Sequence, residues 1–195
     1  MPRLVAGVDI SLRSTGLAYI DLDTGDLELA AVRTSGRATD RLPENLGRII
    51  DMGLSIAGHI VSRAPEMVVF ESALFNTAEK DTSAHRRAGL WWSVAQHLHA
   101  AGLSMTEVSP AELKKFTTGN GAAAKTAMLH CLDHDWPGHG AAGTSKYDMA
   151  DAAYLAAMGA YGMDGHLPDR LGANAYRTAT VERAMEHRTL QEETS

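Results

Sequence analysis

Leu4-Val5-Ala6-Gly7-Val8-Asp9-Ile10 is a nearly continuous apolar run, the pattern of a central strand buried on both faces. Gly16 to Leu22 predicts a second strand. Asp23-Thr24-Gly25-Asp26 has strong turn chemistry, and Leu27 to Arg33 gives a third strand. Three short strands joined by tight turns predict an antiparallel ribbon. Leu42, Leu46, Ile49, Gly53, Ile56 and Ile60 then recur at spacings of three and four, which predicts a helix on that apolar stripe with Asp40 as its cap. Pro65 ends the helix, and Met67-Val68-Val69-Phe70-Glu71 reads as a short buried strand with a carboxylate at its end. A second helix is expected from Ser83 to Ala101, with Leu90, Val94, Leu98 and Ala101 on one stripe, and a fifth strand from Leu103 to Val108.

Ser109-Pro110-Ala111-Glu112 combines a capping box with proline at the first helical position, so a helix starts there sharply. Thr118-Gly119-Asn120-Gly121 breaks it, and Ala122 to Asp133 starts the next. Gly138 to Gly143 is a glycine-rich loop before an alanine-rich helix, Tyr147 to Tyr161, that carries Asp148 and Asp151. After Gly162 the pattern weakens, and residues 180–195 predict a solvated terminal helix that frays. Strands that arrive as a meander and then alternate with helices imply an α/β fold, a mixed five-stranded sheet flanked by helices. The expected division is one domain over residues 1–162 and a C-terminal extension over 163–195.

Composition narrows the class. The 195 residues are 45% hydrophobic and 22% charged, which excludes a disordered chain, a coiled coil and a collagen-like repeat. No apolar run approaches the ~20 residues of a membrane span, and the N-terminus has no signal-peptide layout. Cys131 stands alone, so a reducing, cytoplasmic setting is expected. A net charge of −6 argues against a passive DNA coat without excluding a nuclease whose site is a carboxylate cluster waiting for metal. Between Lys80 and Tyr147 the balance reverses, with seven basic residues against five acids.

Four acids sit where the backbone can gather them. Asp9 ends the first strand and Glu71 the fourth. If those strands are parallel neighbours, both side chains emerge at the same carboxyl edge, where α/β proteins bind ligands. Asp148 and Asp151 are three apart on one helix and share a face. Each acid alone has an ordinary reading: a cap or dipole partner for the helical pair, a turn former for the strand ends. Together they would repel one another, and a divalent cation is the expected neutraliser. Oxygen-only ligands favour Mg²⁺ or Mn²⁺ over zinc.

Gly7-Val8-Asp9-Ile10-Ser11-Leu12-Arg13-Ser14-Thr15-Gly16-Leu17-Ala18 resembles the opening motif of RuvC-type Holliday junction resolvases, in the RNase H-like superfamily. Val68-Val69-Phe70-Glu71 resembles their second motif, the segment Gly119 to Lys125 their glycine-rich, lysine-containing stretch, and Asp148-Met149-Ala150-Asp151-Ala152 their closing motif. The motifs stand in family order. The resemblance implies a metal-dependent endonuclease acting on branched DNA as a homodimer. It implies that Asp9, Glu71, Asp148 and Asp151 bind two divalent ions, and that Lys114 or Lys115, and Lys125, face phosphate. Ile10 stands where many members carry proline, and Asn76 to Arg87 and residues 163–195 depart from the family pattern.

Several other readings bear on function. Phe75, four residues past Glu71, is a candidate base-stacking residue, and Arg86 and Arg87 are candidate DNA contacts. Trp91, Trp92 and Val94 suggest that the second helix exposes apolar surface for a homodimer. The stretch Gly119 to Thr126 falls one glycine short of a phosphate-binding loop and follows a helix instead of a strand. His130, Cys131, His134, Asp135 and His139 lie close in sequence without the ligand spacing of a zinc site. The rival functions are a flap, fork or end-directed nuclease and a non-catalytic DNA-binding member of the fold.

Overall fold

A computed structural model describes residues 2–35, 41–73 and 83–186. Asp40, Phe75 and Lys80 lie outside the described residues. The strands are β1 (Leu4–Asp9), β2 (Ser14–Asp21), β3 (Leu27–Arg33), β4 (Met67–Glu71) and β5 (Met105–Val108). The helices are α1 (Leu42–Val61), α2 (Ala84–Ala100), α3 (Pro110–Thr118), α4 (Lys125–Asp135), α5 (Lys146–Gly162) and α6 (Ala175–Glu186). The sheet runs β3-β2-β1-β4-β5, antiparallel through the β1–β3 meander and parallel from β1 to β4 to β5. This is the expected mixed sheet.

The apolar run of β1 is explained by helices on both faces. Ala6 and Val8 join Val68 and Phe70 beneath α1 and α2. Val5, with Met67 and Val69, faces α5 and the core shared with α3, α4 and α6. Side chains alternate along a strand, so Asp9 and Glu71 continue the α5-facing rows of β1 and β4.

α5 is buried at every position from Met149 to Ala160, which accounts for its alanine content. It lies directly on strand backbone. A Cβ at Gly7 would stand 2.0 Å from the Ala152 carbonyl oxygen, and one at Gly16 would stand 2.1 Å from that of Asp148. Gly159 repeats the contact from the helix side, where a Cβ would meet Val5 Cγ1 at 2.5 Å. Only the missing side chains permit this approach.

Three expectations change. The inward stripe of α1 is Asn45, Met52, Gly53, Ile56, Ala57 and Ile60, whereas Leu42 and Leu46 are 79% and 52% exposed. They continue through Ile50, Leu54 and Val61 as a second, outward ridge. Two apolar stripes on one helix share a period, and periodicity alone does not say which one meets the sheet. On α2, Val94 is buried and Trp91 half-buried, which leaves Trp92 as the one exposed member of the apolar surface expected there. The terminal helix also begins earlier than expected and is docked: Arg177, Thr180, Val181 and Ala184 are buried, and Thr106 Oγ1 donates to the Ala184 carbonyl.

Candidate active site

Parallel pairing sets Val8 beside Phe70, so Asp9 and Glu71 leave neighbouring strands together at the carboxyl edge. The N-terminal half of α5, seated on Gly16 at Asp148 and on Gly7 at Ala152 and Ala156, brings Asp148 and Asp151 to the same place. Ser145, just before its first turn, receives hydrogen bonds from Ser14 Oγ (2.5 Å) and Arg33 Nε (2.9 Å), tying the start of α5 to β2 and β3. Past Asp9, Thr15 Oγ1 accepts from Ser11 N and donates to Ser11 O, closing the β1–β2 turn.

The resulting cavity holds about 310 Å³ and is lined by Asp9, Glu71, Asp148, Lys125, Arg87, Trp91, Pro110 and the Ser11 and Ser72 turns. Its electrostatics are those of acids crowded out of water. Burial drives the Asp9 carboxyl well above the usual range, and the charges of Glu71, Asp151 and Asp148 push it further. Asp151 is pushed up to about 7 by burial and then by Glu71. Burial also raises Glu71 and Asp148. Lys125 opposes the rise at all four acids, and Lys114 opposes it at Glu71 and Asp151.

The donor set fits a hard divalent cation, since it offers only carboxylate oxygens, several acids share one small cavity, and each is destabilised as an anion. As placed, no three His, Cys, Asp or Glu among the described residues already form a ligand shell. In the His130–His139 stretch the two acids have partners within the protein. Asp135 is held by Arg170 and Tyr154, and His139 bonds Asp133 at 2.9 Å.

The basic residues separate. Lys125 and Arg87 reach the cavity, and Lys114 is one helical turn from cavity-lining Pro110. Lys115 is exposed about 100° further round α3. Arg86 turns to α1, where Nη1 donates to Asn45 Oδ1 at 3.3 Å. Lys125 is the first residue of α4, and not the fourth of a helix from Ala122, because Asn120 accepts from Ala122 N through Oδ1 and from Ala123 N through its carbonyl. Trp91 was missed as a site residue. Its Nε1 donates to the Glu71 carbonyl at 3.0 Å and its ring meets Phe70 at 5.2 Å, steadying the end of β4. A separation of 20 residues in sequence gave no sign of that bond.

The chain is 31% identical over 156 residues to the crossover junction endodeoxyribonuclease RuvC of Delftia acidovorans, covering 78% of this chain and 81% of that protein. The RuvC protein of Hyphomonas neptunium is 29% identical over 168 residues, covering 86% and 93%. Among solved structures, RuvC of Thermus thermophilus matches with a TM-score of 0.60 at 24% identity, over 85% of this chain and 99% of that one. The yeast mitochondrial Holliday junction resolvase matches at 0.56 and 11% identity, over 95% and 82%. No family model matches the chain.

Proposed function

The chain belongs to the RuvC family of crossover junction endodeoxyribonucleases, and on that premise we propose that it cuts branched DNA such as Holliday junctions by metal-dependent phosphodiester hydrolysis. The observation that carries the reading is the meeting of Asp9 and Glu71, from parallel strands, with Asp148 and Asp151 of α5, opposite Lys125.

Two Mg²⁺ or Mn²⁺ ions, when bound, supply an activated water and neutralise phosphate and leaving-group charge. Asp9, held by the central strand, would hold them, together with Glu71, Asp148 and Asp151. Lys125 stands at the mouth of the acid cluster, where its ammonium stabilises the charge that builds on the phosphoryl oxygens. Arg87 and Lys114 hold flanking phosphates. Residues 1–162 carry the nuclease residues, and the segment from 163 packs into the same core through Leu171, Val181 and Ala184. No helix among the described residues is long and apolar enough to cross a membrane, and the protein works on DNA in the cytoplasm.

A homodimer fits symmetrical cutting of two strands. The exposed ridge Leu46–Ile50–Leu54–Val61 of α1 is the surface it would cover. Ile50→Glu should convert a dimer to a monomer by light scattering; a monomeric wild-type chain would remove the dimer and favour flap or end cutting. Gel assays with Mg²⁺ on junction, flap, linear and single-stranded DNA test the activity itself. Preferential paired cuts in the junction support it, preference for flaps or ends redirects it, and binding without cutting overturns it.

A further inference from the structure

Of the cations offered to phosphate, Lys114 and Lys125 are carried by two short helices, and the C-terminal segment holds these in place. α3 is fixed at its start by a reciprocal cap between Ser109 and Glu112. Its last carbonyls, like those of any helix, lack partners inside the helix. Two guanidiniums meet them. Arg177 Nε donates to Phe116 O at 3.0 Å, and Arg170 Nη1 donates to Thr117 O at 2.6 Å.

Arg177 is 6% exposed. Its Nη1 donates onward to Arg170 O at 2.8 Å and Gly172 O at 3.2 Å, and its guanidinium lies 5.7 Å from the centre of the Phe116 ring. It thus braces both the end of α3 and the segment that presents Arg170. Arg170 Nε in turn bonds Asp135 at 2.6 Å, and Asp135 is the last residue of the helix that opens on Lys125. Between the two helices the chain passes through Gly119, at φ +80°, and Gly121, a connection with little stiffness of its own. A buried guanidinium bonded to main-chain carbonyls carries a desolvation cost that an apolar side chain would avoid, so packing alone does not account for it.

We propose that Arg177 is a positioning residue for DNA: by gripping the last turn of α3 it sets where Lys114 meets phosphate. This rests on the DNA-site reading above. Arg177 is buried against the end of α3 and does not line the cavity, so its influence on DNA passes through the helix and not through contact.

The test is binding of a four-way junction by the full chain in EDTA, titrated with salt. The variants are Lys114→Ala, Arg177→Met, the two combined, Arg177→Lys, and Val181→Ala as a control for loosened packing of α6. Lys114→Ala should weaken binding and make the salt dependence shallower by about one unit of slope. Arg177→Met should do the same, and the pair should be at most about twofold weaker than either alone, because both remove one phosphate contact. Arg177→Lys should restore part of the slope, and Val181→Ala should leave it unchanged despite a lower Tm. A wild-type slope in Arg177→Met, or full additivity with Lys114→Ala, overturns the proposal. If Arg177→Met does not fold, Arg177→Lys is combined with Lys114→Ala under the same criterion. Salt-independent wild-type binding, or normal binding by Lys114→Ala, instead overturns the DNA-site reading, and the positioning role falls with it.

Discussion

Two sets of carboxylates are shielded from water in this molecule, and they behave in opposite ways. At the sheet edge, Asp9 and Asp151 are 7% and 6% exposed and are driven upward by burial and then by neighbouring carboxylates, Glu71 foremost. At the far end of α4, the Asp135 side chain is fully shielded. Burial would raise it too, but hydrogen bonds from Arg170, Tyr154 and His134 outweigh that and hold it below the usual range. Burial alone therefore does not mark a working acid. The difference is compensation: Asp135 has a guanidinium of its own, whereas the edge acids face each other and share the charge of Lys125. A satisfied carboxylate stabilises the fold, and an uncompensated group of them awaits a ligand.

The sharpest test exchanges the two roles. Asp151→Asn should lower junction cleavage by orders of magnitude, because it weakens a metal ligand used in the transition state. Its metal-free affinity for DNA should stay level or rise, since the carboxylate then only repels phosphate. Asp135→Asn should leave turnover near normal and cost stability, measured by urea unfolding. A broken buried ion pair costs ~3–5 kcal/mol, and Arg170 keeps 29% exposure, so about 2–3 kcal/mol is expected. Near-normal cutting by Asp151→Asn would sink the mechanism.

Acidity should separate the two sets in the metal-free protein. An acid whose folded pKa lies above its unfolded value contributes stability below the unfolded pKa and loses it as pH rises through the folded one. For Asp151 that window runs from 3.8 to about 7, so unfolding free energy in EDTA should decline by a few kcal/mol, on the order of 2–4, across it. Asp135 has the opposite sign: its contribution persists above 3.8 and is lost only in stronger acid. Asp151→Asn should reduce the first decline, leaving the share that Asp9, Glu71 and Asp148 contribute, and should not touch the second. A decline undiminished in Asp151→Asn would assign it elsewhere.

Adding Mn²⁺ or Mg²⁺ should raise Tm through the edge cluster only, by about 2.7 kcal/mol of stability at a hundredfold excess over Kd. Asp9→Asn should abolish most of that gain and Asp135→Asn none of it. A melting temperature indifferent to millimolar Mn²⁺ speaks directly against the site. The smallest effect concerns the shared cation. Lys125→Ala should weaken junction binding and reduce the salt slope by about one unit, with the Arg170–Asp135 pair undisturbed.

Much of this was legible before any coordinates. Asp9 and Glu71 announced themselves by ending apolar strands, and the helical spacing of Asp148 and Asp151 placed them on one face. Local chemistry sufficed at Ser109-Pro110-Ala111-Glu112, where both halves of the reciprocal cap form. What failed to show was directional or distant. Leu42 and Leu46 fit the period of α1 as well as the true inner stripe does, so the sequence offered no means of choosing. The charges of residues 180–195 read as a solvated helix, whereas two of the four inward residues of α6, Arg177 and Thr180, are polar types that periodicity scores as surface. Their acceptors, Phe116 O and Tyr176 O, are main-chain atoms that leave no trace in side-chain pattern.

The seat of α5 has a consequence for how such a site varies. Half the acids belong to strands and half to a helix, so the gap between them is set by how low the helix sits on β1 and β2. That height is governed by Gly7 and Gly16, neither of which offers a group to metal or DNA. A single methyl at either place acts as a shim under the helix, lifting Asp148 and Asp151 together away from Asp9 while every acid remains. Mg²⁺ tolerates little departure from octahedral geometry at 2.0–2.1 Å, whereas Ca²⁺ accepts longer and looser shells. On the metal-dependent reading proposed above, cation choice would be adjustable from beneath the helix, at two positions that a comparison confined to the acids would pass over.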